Sequence, residues 1–250
     1  MVTQDSSTLA PSQSNPDHLP KWVWLWLPLA VAVVLAFIGQ VAPDFYSVWF
    51  GSEERGVLEL SHALIPLAGF FLSLRILFMP QVRSFKWLWL WVVLAALGCL
   101  YIGGEEASWG QHYMQWDTPE AWEKINDQEE TNLHNTSSWF DQKPRALLEI
   151  GVILGGILIP LAALKRPEIR ATKFAIILPP LITLPTAVLA EFSKTSERIL
   201  SAIEFDGLIF SRASEVQETF FFYFILLNLV ILKRRLRASK PLAQDSSQEV

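Results

Sequence analysis

Six stretches of this chain, residues 22–39, 57–79, 87–104, 146–164, 174–190 and 216–232, are strongly apolar and nearly free of charge. Each approaches the ~20 residues that a helix needs to cross the hydrocarbon core of a bilayer. Inside lipid no water can bond the peptide groups, so a spanning segment must be a helix or belong to a closed barrel. Runs this long select the helix. The expected fold is therefore all-α: a polytopic membrane helix bundle of about six transmembrane helices, with short amphipathic helices on the outer face.

Composition agrees. Hydrophobic residues make up 51% of the chain and charged residues only 18%, below the ~25% of an average soluble domain. The net charge of -5, with basic residues clustered only beside the last apolar run, gives no electrostatic footprint for nucleic acid. Cys99 is the single cysteine and lies within an apolar run, so a metal site in one chain would have to use histidine and carboxylates. Residues 1–20 read as a disordered tail, 21–235 as the six-span domain and 236–250 as a second tail. The run at 22–39 is longer than the core of a cleaved signal peptide and reads as a retained first span.

Lysine and arginine set the orientation. An even number of spans returns both termini to one side. That side receives twelve basic residues: Lys21, Arg83, Lys86, Lys165, Arg166, Arg170, Lys173, Lys233, Arg234, Arg235, Arg237 and Lys240. The other side holds seven, in longer connections: Arg55, Lys124, Lys143, Arg145, Lys194, Arg198 and Arg212. By the positive-inside rule both termini are cytoplasmic. Trp22, Trp24 and Trp26, and likewise Trp87, Trp89 and Trp91, follow a lysine at that face and suit headgroup anchors. Pro66, Pro160 and the group Pro179, Pro180 and Pro185 interrupt three spans, with a kink expected in the fifth. Gly151 and Gly155 form a GxxxG face suited to close helix packing.

With this topology, ionisable residues collect at the outer face. Glu59 and His62 share one helix face at i, i+3 near the start of the second span, where such groups normally turn into the bundle. Glu105 and Glu106 end the third span, Glu149 opens the fourth, Glu191 ends the fifth, and Glu215 and Glu218 open the sixth. At helix N-termini, Glu149 and Glu215 are also explained by the helix dipole, and Ser214 with Gln217 fits a capping box. The outer loop, residues 105–145, adds Ser108, Trp109, Gln111 and His112, then Glu130, Asn132, His134 and Asn135. Glu105, Trp109 and His112 fall on one helical stripe, and Glu130 and His134 are four apart, a spacing shared by metal ligands and acid–base pairs. Pro119 begins a short helix with a Trp122/Ile125 stripe, read as lying on the membrane surface.

The run Glu105-Glu-Ala-Ser-Trp-Gly-Gln111, then Asp117-Thr-Pro-Glu120, Asn126 and Gln128-Glu-Glu-Thr-Asn-Leu-His-Asn135 resembles the signature of a family of uncharacterised bacterial multi-pass membrane proteins. The resemblance implies a bacterial inner membrane and no particular activity. The Glu105-Glu106 pair is also similar to the EExxxR motif of CAAX-type glutamic intramembrane proteases, in which paired Glu and His residues activate water. Gly110 stands where that motif has arginine, and no histidine follows His134.

These readings favour a membrane-embedded hydrolase or transferase acting at the outer face on a lipid or lipid-linked substrate. Glu105, Glu106, Glu130 and His134 would carry the chemistry. His62, His112, His134 and Glu106 would be the ligands of a divalent metal ion, should one be used. Glu59, Ser108, Trp109, Gln111, Asn132, Asn135, Glu191 and Glu218 would support the site. A proton-linked carrier is the second expectation, though the inner halves of the spans lack the acids that a relay would need. A non-catalytic assembly or sensor protein is the third.

Overall fold

The computed structural model describes residues 15–52, 56–126, 130–133, 136–205 and 207–239, and every regular element among them is helical. Five helices are long and apolar enough to cross a membrane: α1 (Trp22–Val41), α2 (Val57–Leu77), α3 (Lys86–Glu106), α4 (Gln142–Lys165) and α6 (Ala213–Ala238). The chain is a membrane protein with several spans. Between α4 and α6 runs α5 (Leu184–Ala202), shorter and more polar.

The fifth apolar run corrects the expectation of six continuous spans. Residues 174–190 do not form one helix. Short 3-10 turns at Lys173–Ile176 and Leu181–Thr183 flank an irregular stretch through Pro179 and Pro180, and the α-helix begins only at Leu184. Two consecutive prolines cannot donate backbone hydrogen bonds and clash with the preceding turn, so the helix cannot form through them. Past residue 190, α5 carries Glu191, Lys194, Glu197 and Arg198, which makes its second half amphipathic rather than apolar. Its second half lies beside the start of α4, where Arg198 pairs with Glu149.

Prolines also shape α1 and α4 without breaking them. Each contains a wide π-type turn immediately before a proline, at Trp22–Trp26 ahead of Pro28 and at Ile153–Leu158 ahead of Pro160. Widening the turn relieves the clash between the ring and the carbonyl four residues earlier.

Helix α6 is the hub. Its apolar stretch is 67% buried, whereas the corresponding figures for α1, α2, α3 and α4 run from 17% to 33%. Phe220, Phe221, Phe222 and Phe224 pack with Ala32 and Leu35 of α1 and Ala187 and Ala190 of α5. Towards the other end, Leu229, Leu232 and Leu236 pack with Ile76 of α2 and Leu88, Val92 and Cys99 of α3. Val33, Phe37, Leu94, Leu97, Leu154 and Leu158 point outward, as lipid-facing residues should. Small residues set the closest approaches. A Cβ on Gly69 of α2 would lie 2.9 Å from Cys99 Sγ, and one on Gly103 of α3 would lie 3.1 Å from the Ala63 carbonyl oxygen. On α4 the tight position is Gly156, where a Cβ would meet Ala187 at 2.7 Å and the Phe224 ring at 2.8 Å. The expected GxxxG face is thus displaced: Gly151 faces open space and Gly155 only approaches Pro179.

One basic side chain ties the ends of the chain together. Arg235 of α6 forms a two-pronged ion pair with Asp17, at 2.5 and 2.8 Å. Its Nη1 also donates to the carbonyls of Ala175, Ile176 and Leu178, at 3.1, 2.9 and 2.7 Å. Ala175 and Ile176 lie four residues before Pro179 and Pro180, so their carbonyls are the ones those prolines cannot serve in a helix. Residues 15–20, expected within a disordered tail, are held here, with Leu19 buried against Leu227 and Ile231. The described ends of the chain therefore meet at one end of the bundle.

Two stability outcomes follow for thermal unfolding of the detergent-solubilised protein. Arg235→Gln leaves Asp17 and three carbonyls short of a donor and should cost about 3–5 kcal/mol, and Arg235→Lys should recover little because an ammonium cannot span the same fork. Gly156→Ala should cost about 1–3 kcal/mol through overpacking, whereas Gly151→Ala should be neutral or slightly stabilising; equal behaviour of the two glycine variants would contradict this packing.

Candidate functional site

At the bundle end opposite Asp17 and Arg235, side chains of α2, α3 and α6 converge on His62. The close approach of α2 and α3 at Gly103 brings the last residues of α3 alongside the first turns of α2. His62 is fully buried, and its ring meets the Phe222 ring edge-on with centroids 5.4 Å apart. Its Nε2 is 2.9 Å from the Glu215 carbonyl oxygen and 2.9 Å from Thr219 Oγ1. A carbonyl can only accept, so Nε2 carries a hydrogen and the tautomer is set. The Thr219 hydroxyl bonds the same Glu215 carbonyl at 3.0 Å.

The other ring nitrogen faces carboxylates. Nδ1 lies 3.5 Å from Glu106 Oε2, 3.6 Å from Glu215 Oε2 and 4.0 Å from Glu218 Oε2, and it makes no hydrogen bond among the described residues. Arginines hold the far oxygens of two of these groups. Arg145 Nε is 2.6 Å from Glu218 Oε1, and Arg212 Nη2 is 3.2 Å from Glu215 Oε1 and 3.7 Å from Glu59 Oε1. Arg212 also donates to the Gly51 carbonyl and occupies the left-handed region at φ 55°, which turns the chain into α6. The expected capping box does not form: Arg212 is the N-cap, and no side chain caps the helix. Two overlapping triads, Glu59/His62/Glu215 and His62/Glu106/Glu218, each place their donor atoms within 4.8 Å of one another.

Glu105 and Glu106, adjacent in sequence, serve different networks. Glu106 turns towards His62. Glu105 is buried, accepts from Trp109 Nε1 at 2.8 Å and from the Leu133 backbone at 2.6 Å, and so ties the outer loop to the end of α3. Within that loop Ser108 Oγ donates to Glu130 Oε2 at 2.9 Å. The Asn132 amide donates to both at 2.9 and 2.5 Å and accepts from Asn126 at 3.0 Å. Gln111 accepts from the Thr131 backbone at 2.7 Å and donates to Thr118 at 2.6 Å. Ser108 and Trp109 both have positive φ, 43° and 53°, and Gly110 follows at 104°. This sharp reversal folds the Trp109 ring over Gly104, where a Cβ would lie 2.8 Å from the ring. It also replaces the expected helical stripe of Glu105, Trp109 and His112.

The signature residues Ser108, Trp109, Gln111, Glu130 and Asn132 are thus the fasteners of a folded loop. His134 and Asn135 lie outside the described residues, as does the His112 side chain. Glu191 stands apart from the cluster, on α5 near Glu149 and Arg198. Sequence reasoning brought in Glu59, His62, Glu106 and Glu218 but assigned Glu215 to the helix dipole and gave Arg145 and Arg212 no role. The usable signal was a second i, i+3 pair, Glu215 and Glu218, matching the spacing of Glu59 and His62 at the same depth.

Asn132→Ala removes three side-chain hydrogen bonds and should cost about 1–3 kcal/mol locally. Limited proteolysis should then nick the loop faster, while the transition of the membrane bundle stays within experimental error of wild type; an unchanged nicking rate would mean that Asn132 does not fasten the loop. In comparisons with known proteins, no family model, curated protein or solved structure matches this chain.

Proposed function

We propose that this chain is a membrane-embedded hydrolase or transferase acting on a lipid or lipid-linked substrate, with the Glu106/His62 cluster as its reaction centre. The supporting observation is the convergence of Glu59, His62, Glu106, Glu215 and Glu218 from three helices on one point at the end of an apolar bundle. Burying that many ionisable groups is costly, and membrane proteins retain them where they serve a function. His62 is fully enclosed, whereas Glu106 and Glu215 are 20% and 19% exposed, and Glu106 is the nearer of the two to the ring at 3.5 Å, so we assign it as the carboxylate that meets a reactant.

An apolar cavity of about 460 Å³ adjoins the cluster, between α1, α2 and α6. Leu35, Leu58, Ile65 and Phe220 line it, and so does Thr219, whose hydroxyl contacts His62. A hydrocarbon chain in this space would lie against Thr219, one contact away from His62. In that arrangement Glu106 takes the proton of an attacking water or alcohol as its oxygen bonds to the acyl or phosphoryl centre. The leaving oxygen departs with a proton returned from the same group. The excess of Lys and Arg at the opposite end supports a reading in which that end is cytoplasmic and the cluster lies at the outer face of the membrane, taken here as a bacterial inner membrane.

The test uses the full chain reconstituted in vesicles of phosphatidylethanolamine and phosphatidylglycerol, with products followed by mass spectrometry. Glu106→Gln should lower turnover by about 10²–10⁴-fold, while Glu120→Gln, an exposed surface change, should leave it intact. Turnover in Glu106→Gln equal to wild type would overturn the assignment.

A further inference from the structure

The unbonded nitrogen of His62 asks for an occupant. Because Nε2 donates to the Glu215 carbonyl, a neutral ring turns the lone pair of Nδ1 towards Glu106 Oε2, Glu215 Oε2 and Glu218 Oε2. Lone pairs aimed at one another across a buried space repel, and a fully buried polar atom without a partner is costly. Direct hydrogen bonds do not resolve this, since the separations of 3.5, 3.6 and 4.0 Å exceed the ~2.7–3.2 Å of a normal N–H···O bond. The separations of 3.5 and 3.6 Å do suit two ligands of one metal, and Glu218 at 4.0 Å needs only a small side-chain movement to join them. With metal–nitrogen and metal–oxygen bonds of ~2.0–2.2 Å, tetrahedral neighbours lie about 3.3–3.6 Å apart.

The carboxylates are also oriented for a shared ligand. Among the described groups around His62, four carboxylates, Glu59, Glu106, Glu215 and Glu218, face two guanidinium groups, Arg145 and Arg212. The arginines bind the Oε1 atoms of Glu215 and Glu218 and leave the Oε2 atoms turned towards His62. Outer hydrogen-bond partners orient metal-ligating carboxylates in this way, as the Glu215 carbonyl does here for the imidazole.

We propose that His62 Nδ1, Glu106 and Glu218 bind one divalent first-row transition-metal cation, with Glu215 alongside and a remaining position open to a reactant. One nitrogen and two or three carboxylate oxygens suit Zn²⁺ or Mn²⁺. The site deepens the reaction centre proposed above and rests on the same cluster, but metal binding can be tested without any turnover. Three protein ligands and an open position are the arrangement in which a cation activates water, and Glu106, ligating through one oxygen, would take the proton on the other.

The experiment titrates Mn²⁺ and Zn²⁺ into the metal-stripped full chain in detergent, with bound metal counted by elemental analysis and Mn²⁺ examined by pulsed electron paramagnetic resonance. About one equivalent should bind, with a ¹⁴N coupling from a single imidazole. That coupling should vanish in His62→Ala, and Glu218→Gln, which keeps the side-chain shape, should lose near-stoichiometric loading. Arg145 is a positioning residue, and Arg145→Gln should weaken binding by about 10–100-fold. Glu120→Gln should bind like wild type. Absence of binding by wild type, or bound Mn²⁺ without nitrogen coupling, would overturn the cation site whatever the fate of His62→Ala. If wild type binds no metal yet Glu106→Gln still abolishes turnover, the cation is excluded and acid–base chemistry stands. If metal binds as described but no lipid is turned over, the cation stands and the reaction falls.

Discussion

A carboxylate removed from water must be met by a positive charge, a proton or a set of donors, and this requirement organises one whole end of the molecule. Glu215 and Glu218 lie on the hub helix, and Glu59 and Glu106 approach the same point from α2 and α3. The protein answers with Arg145 from the start of α4 and Arg212 from the turn into α6. Neither arginine comes from α2 or α3, so the polar end closes only when four helices are in register. Packing and electrostatics are therefore one constraint: Gly69 and Gly103 let α2 and α3 approach, and that approach delivers Glu106 to His62.

The same requirement explains why the two glutamates at the end of α3 diverge. Adjacent residues on a helix point about 100° apart, so one can face the bundle interior while the other faces the loop. Glu105 finds Trp109 and the Leu133 amide, whereas Glu106 finds His62. The polar loop signature is consequently a folding device in large part. Its strained turn at Ser108 and Trp109 is held by hydrogen bonds from residues more than twenty positions away, such as Glu130 and Thr131.

Much of this architecture was legible in the sequence, because uncharged apolar runs near the thickness of a bilayer leave few alternatives to spanning helices. Glu59 and His62 were legible through their spacing, and Glu218 through its depth. The fifth run misled because hydropathy registers prolines only weakly, although Pro179 and Pro180 decide the local backbone. The spacing rule for close packing chose Gly151 and Gly155, but the π-type turn in α4 shifts the helix face and makes Gly156 the contact. Arg145 and Glu215 were hidden for another reason. Each has an ordinary explanation in its own helix, and only the tertiary arrangement gives them one another's neighbourhood.

The capping of Ala175, Ile176 and Leu178 by Arg235 also bears on biosynthesis. A ribosome makes this stretch some sixty residues before the arginine that serves it. Until α6 has been synthesised and inserted, those carbonyls need water or headgroups at the membrane surface. The stretch leading into Pro179 and Pro180 therefore cannot take its final packing before the C-terminal helix is in place.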